Sequence, residues 1–121
     1  MITHVQIAGV YVSDQDRALD FYKNKLGFEV VSDIPFGAGT RWIEVAPPGA
    51  KTRLVLFTPK GMENRVGSFA NIVFGTDDVQ KTYEELRDRG VEFTEAPVTQ
   101  PWGGTQAIFV DPDGNTFVLH S

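Results

Sequence analysis

The side chains equipped for chemistry are few. Two histidines, His4 and His120, are present and cysteine is absent, which removes thiol nucleophiles, thiolate metal sites and disulfides together. Glu44 and His120 are the candidates for a general base, while Arg53 and Asn71 could orient a substrate or stabilise an oxyanion. A buried Glu beside an Arg is more often a structural ion pair. Strand alternation along Arg41-Trp42-Ile43-Glu44-Val45 puts Trp42 and Glu44 on one face, as an exposed pair or as an aromatic wall with an anchoring carboxylate. Trp102, in Gln100-Pro101-Trp102-Gly103-Gly104, is a large ring for a loop, and Phe36 stands in the matching earlier loop. Both rings suit a flat, hydrophobic or cationic ligand, and both suit a lid packed on apolar surface.

These residues hang on a repeat. Val12-Ser13-Asp14 opens a segment closing at Leu26-Gly27-Phe28, and Gly75-Thr76-Asp77 opens one closing at Arg89-Gly90-Val91, with thirteen residues from Asp to Gly in each. Leu19, Tyr22 and Leu26 fall at helical spacing, as do Val79, Tyr83 and Leu86. Asp14 and Asp77 are the expected N-caps, and Gly27 and Gly90 supply the left-handed residue that ends a helix. Strands are predicted over residues 2–12, 28–32, 40–46 and 52–58, then over 69–74, 91–95, 105–110 and 116–120. An offset of 63 also aligns Arg53-Leu54-Val55-Leu56 with Thr116-Phe117-Val118-Leu119. The reading is therefore α+β, with two tandem βαβββ modules: module one at 1–58, a connector at 59–68 and module two at 69–121.

With 121 residues and 41% hydrophobic content, one domain is expected, and a module of about sixty residues with one amphipathic helix buries too little to stand alone. Short antiparallel strands with Gly37, Gly39, Gly103 and Gly104 predict a curved mixed sheet around a concave pocket. A net charge of −5 with scattered Lys and Arg argues against nucleic acid. No apolar run reaches the roughly 20 residues of a membrane span, no leader is recognisable, and a cytoplasmic location is expected. Asp111-Pro112-Asp113-Gly114-Asn115 reads as a hairpin turn, not as a catalytic pair of carboxylates.

Val12-Ser13-Asp14 through Ala18, Phe21-Tyr22, Leu26-Gly27-Phe28 and Phe109-Val110-Asp111-Pro112-Asp113-Gly114-Asn115 together resemble the vicinal oxygen chelate superfamily. That group includes glyoxalase I, fosfomycin-resistance transferases, extradiol dioxygenases and bleomycin-resistance proteins. By this resemblance the metal positions of the family correspond to Ile7, Val55, Asn71 and Val118. Three are hydrocarbon and the fourth is a weak neutral donor, so no metal and no cofactor are expected. A substitute site would have to gather His4, Glu44 and His120.

The same register makes Val55 and Val118 markers of the concave face, with Arg53 and Phe57 beside the first and Thr116 and His120 beside the second. The expected ligand-binding set is Trp42, Glu44, Arg53, Phe57, Asn71, Trp102 and His120. The resemblance implies a metal-independent, non-enzymatic homodimer that sequesters a small molecule, as bleomycin-resistance proteins do, with an aromatic or cationic ligand. The alternative is a glyoxalase-like lyase, isomerase or dioxygenase. It would be metal-dependent through other ligands, or metal-free with Glu44 or His120 as general base.

Overall fold

Two strand-rich units, Met1–Val66 and Gly67–Ser121, make up the computed structural model, which describes residues 1–121. In the first, β1 (Ile7–Val10) leads to α1 (Gln15–Asp20), which runs on as a π-helical segment, Phe21–Lys25, before β2 (Glu29–Pro35), β3 (Arg41–Ala46) and β4 (Arg53–Leu56). In the second, β5 (Phe69–Gly75), α2 (Val79–Asp88), β6 (Glu92–Thr99), β7 (Thr105–Val110) and β8 (Thr116–His120) repeat that order. A single 3-10 turn, Glu63–Arg65, lies before β5. No helix is long and apolar enough to cross a membrane.

Each unit has its own four-stranded sheet, ordered β1-β4-β3-β2 and β5-β8-β7-β6. The first and last strands of each unit pair in parallel and the other neighbours antiparallel, so both sheets are mixed. Alternation then divides each sheet into two faces. In the first unit Val10, Ile43, Val45, Leu54 and Leu56 are buried together with Ala18, Phe21 and Tyr22, and α1 packs on β3 and β4. In the second, Ala107, Phe109, Phe117 and Leu119 are buried with Val79 and Leu86, and α2 packs on β6 and β7. Phe74, Phe109 and Phe117 stack there with centroids 5.3 to 6.1 Å apart. Phe109 and Phe117 are fully buried, and each contributes about 2–3 kcal/mol.

Several local features differ from the sequence expectation. β1 is much shorter than residues 2–12, because its partner β4 begins at Arg53, opposite Ile7. Ile2 and Val5 are consequently exposed. The second helix is capped by Asp78, whose carboxylate accepts from the Lys81 N–H, and not by Asp77. Cap to glycine is thus thirteen residues in the first unit and twelve in the second. The extra residue is absorbed by the π turn, where the Leu26 N–H donates to the Phe21 carbonyl at 3.0 Å. Gly37, Gly39, Gly103 and Gly104, expected to bend the sheet, lie instead in the β2–β3 and β6–β7 loops with positive φ. Both loops close alike: Phe36 N to Thr40 O at 3.0 Å, and Gln100 N to Gly104 O at 2.9 Å.

Candidate functional site

The face of the first sheet opposite α1 gathers four of the seven expected site residues. β3 contributes Trp42 and Glu44, and β4 contributes Arg53, with Phe57 just past its end. Glu44 stands opposite Val55 in the antiparallel register, and Gly9 stands opposite Val55 from β1. A Cβ on Gly9 would meet only the Val55 side chain, at an ordinary contact distance of 3.9 Å, so the apolar floor here has room beside β1.

Glu44 is the hub of this face. The indole N–H of Trp42 donates to its Oε2 at 2.7 Å, and Nη1 of Arg53 donates to its Oε1 at 3.0 Å. The Trp42 hydrogen bond is the main reason its carboxyl is held below the ordinary glutamate range; burial pushes the other way, and the hydrogen bond and charge of Arg53 add to the lowering. A general base working near neutrality needs a raised value and a free oxygen. Glu44 has neither. It is an ionised acceptor with both oxygens engaged, and the carboxylate serves to fix the indole.

Beside it, three rings form a cluster. Phe36, Trp42 and Phe57 have centroid separations of 5.3 to 5.6 Å and mutual tilts of 45° to 82°. Phe36 remains 50% exposed, while Trp42 and Phe57 are half-buried. Rings held tilted against one another and still open to solvent can accept a flat partner without rearranging.

The other three expected residues belong to the second unit, each in a local setting of its own. Asn71 is exposed on β5 with φ of 58°, the one non-glycine residue in the left-handed region, where the pairing with β8 is irregular between Phe69 and Val73. Asn is among the side chains that tolerate this conformation best. Its identity therefore has a backbone reason. His120 is half-buried on β8, with Nδ1 2.7 Å from the Ser121 carbonyl. A Cβ on Gly104 would come within 2.7 Å of its ring. Trp102 is 76% exposed at the tip of the β6–β7 loop. It is not the counterpart of Phe36: the shared loop closure aligns Phe36 with Gln100.

The residues that the resemblance sets at metal positions do not fit a cation. Ile7, Val55 and Val118 carry no donor atom, and Asn71 offers one neutral amide. His4 is exposed beside Thr3, at 2.9 Å, and no group of three His, Asp or Glu comes together to hold an ion. Asp111 is occupied structurally, accepting from the backbone of Asp113 and Asn115 at 2.9 Å each and from the Asn115 amide at 2.8 Å.

A hollow of about 740 Å³ opens elsewhere in the first unit, beside the start of α1, with Val12, Gln15, Asp16, Thr40, Arg41 and Glu63 among its walls. None of these is in the ligand-binding set expected from the sequence. Its polar groups largely serve one another: Arg41 pairs with Asp16 at 2.6 Å and Asp33 at 3.0 Å. The hydrogen bond to Asp33, then that to Asp16, raises the guanidinium further above its ordinary value.

The family model described as Glyoxalase/Bleomycin resistance protein/Dioxygenase superfamily matches residues 2–119. Among solved structures, the chain is similar to a member of that superfamily from Sphaerobacter thermophilus DSM 20745, with 43% identity and a TM-score of 0.90 over 98% of this chain and 97% of that one. It is also similar to TnmS3, an antibiotic binding protein from Streptomyces sp. CB03234, with 42% identity and a TM-score of 0.83 over 98% and 94%. Among sequences, YetH of Bacillus subtilis (strain 168) is 42% identical over 119 residues, 98% of each chain.

Proposed function

We propose that this chain, which belongs to the Glyoxalase/Bleomycin resistance protein/Dioxygenase superfamily, binds a small aromatic molecule non-covalently and sequesters it without using a metal. The observation that carries this reading is the open ring cluster of Phe36, Trp42 and Phe57, with Trp42 pinned by Glu44. Similarity to TnmS3 supports a binding role over a catalytic one, and so does the absence of donor atoms at Ile7, Val55 and Val118. Pinning matters energetically, because a ring already held in its bound orientation loses little freedom when a ligand arrives.

The wall acts by stacking. A planar ligand laid on Trp42 displaces water from apolar surface, and a pair of aromatic rings adds about 0.5–1.5 kcal/mol beyond the burial itself. Arg53, at the polar end of the wall, supplies orientation. No bond in the ligand is made or broken.

The test uses Trp102→Phe, which leaves Trp42 as the sole tryptophan. Planar aromatic antibiotics titrated into this variant should quench Trp42 fluorescence saturably and raise the melting temperature. Trp42→Leu in the otherwise native chain should lose the thermal shift. Recovery of chemically altered ligand, or no quenching by any compound of the panel, would overturn the reading.

A further inference from the structure

The ring wall ends in a cation with donors to spare, and this says what else the ligand carries. The inference rests on the sequestering role proposed above and narrows its ligand class. Arg53 spends Nη1 on Glu44, while its Nε and Nη2 engage no other protein acceptor. Its side chain is 42% exposed against 11% for Glu44. The acidic member of the pair is therefore covered and doubly engaged, and the basic member faces outward.

A cation on this face would draw on an accessible carboxylate or on the ring faces, and the exposed Arg53 guanidinium beside Trp42 opposes it at both. Glu44 is a poor partner, because its side chain is only 11% exposed and its two oxygens already accept from Trp42 and Arg53. A guanidinium offers five N–H donors in a planar fork, and the two nitrogens left over match an oxyanion or a pair of acceptor oxygens. Trp42 and Arg53 meet the two oxygens of one carboxylate, so the ring platform and the free fork lie within one substituent's reach of each other.

We infer that the bound molecule is a planar aromatic bearing an anionic or strongly accepting oxygen substituent, such as a carboxylate or phenolate, with its ring on Trp42 and its oxygen on Arg53. Charge and platform then select together. Neutral rings bind weakly, and cationic rings are disfavoured by the exposed guanidinium.

Three naphthalene probes of one shape provide the test: naphthalene-2-carboxylate, naphthalene-2-methanol and naphthalene-2-methylammonium, each titrated against Trp42 fluorescence in the Trp102→Phe background. The carboxylate should bind at least about tenfold more tightly than the alcohol, and the ammonium should be weakest. Arg53→Gln should bring the carboxylate to the level of the alcohol. Arg53→Lys, which keeps the charge and guards against a folding defect in the first variant, should retain a reduced preference. An ammonium that binds as well as the carboxylate, or a preference that survives Arg53→Gln, would overturn the inference and leave ring binding intact. If none of the probes quenches Trp42, the ring-binding reading itself fails, and this one with it.

Discussion

Gln15 pairs with the backbone of Arg41 as a neighbouring strand would. Its Nε2 donates to the Arg41 carbonyl at 2.6 Å while its Oε1 accepts from the Arg41 N–H at 3.0 Å, and Nε2 also donates to the Leu56 carbonyl at 2.8 Å. One amide in the first turn of α1 thus ties the helix to both β3 and β4, and β3 carries Trp42 as its next residue.

Removing that amide should loosen the strand that holds the ring wall. Gln15→Ala leaves two carbonyls and one N–H without their partner, at a cost of about 2–4 kcal/mol. Gln15→Glu should be worse, since a carboxylate would face the Arg41 and Leu56 carbonyls with no donor. Urea unfolding measures both. A Gln15→Ala variant within about 0.5 kcal/mol of the native chain would show that water satisfies these groups as well as Gln15 does.

What is legible in the sequence depends on the range of the interaction. Period-two alternation is local, so it pairs Trp42 with Glu44 and Arg53 with Phe57 from spacing alone. That the two pairs share one wall depends on the register of β3 against β4, which sets Glu44 opposite Val55. The βαβββ order follows from caps, glycines and apolar periodicity, which are local as well. Gln15 looks like an ordinary first-turn residue, because its partners lie 26 and 41 positions away. Adjacent Asp77 and Asp78 are equally good caps locally, and only the helix register decides between them. The left-handed backbone of Asn71 is hidden for a similar reason, since a strand irregularity depends on the partner strand.

The carboxyl of Glu44 makes a signed prediction about acid. Its folded-state value is depressed below the ordinary 4.5. It therefore contributes stability in full above the unfolded value, and that contribution is lost as pH falls through the folded one. The stability advantage of the native chain over Glu44→Gln should be constant above about pH 5.5 and shrink steadily at more acid pH. Chemical denaturation at a series of pH values measures it. An advantage that grows on acidification would mean that the Trp42 and Arg53 bonds do not favour the ionised form.

Asn71 separates a backbone role from a binding one. At φ of 58°, Asn71→Gly should hold or raise stability, whereas Asn71→Val should cost about 1–2 kcal/mol, because a β-branched side chain is strained in the left-handed region. Thermal melts read the order of the three. A valine variant as stable as the native chain would mean that the left-handed backbone is not what selects Asn here.

The π turn of the first helix predicts the outcome of a deletion. Asp14 to Gly27 spans one residue more than Asp78 to Gly90, and the surplus is stored where Leu26 bonds back five positions to Phe21. The second helix shows that the shorter spacing closes well: Val91 donates to the Leu86 carbonyl at 3.0 Å and Gly90 to that of Arg87 at 2.9 Å, with Gly90 at positive φ. Deleting Asn24, which is exposed and whose side chain donates to Asp20, should convert the π turn to α-helix and leave the glycine stop in place. The variant should fold with a stability change within about 1 kcal/mol, the lost Asn24 bond being offset by regular helical bonds. Circular dichroism with urea unfolding would decide. Loss of cooperative folding would mean that the extra residue is required to seat Phe21 and Tyr22, and that the wider turn is part of the first unit's core rather than slack within it.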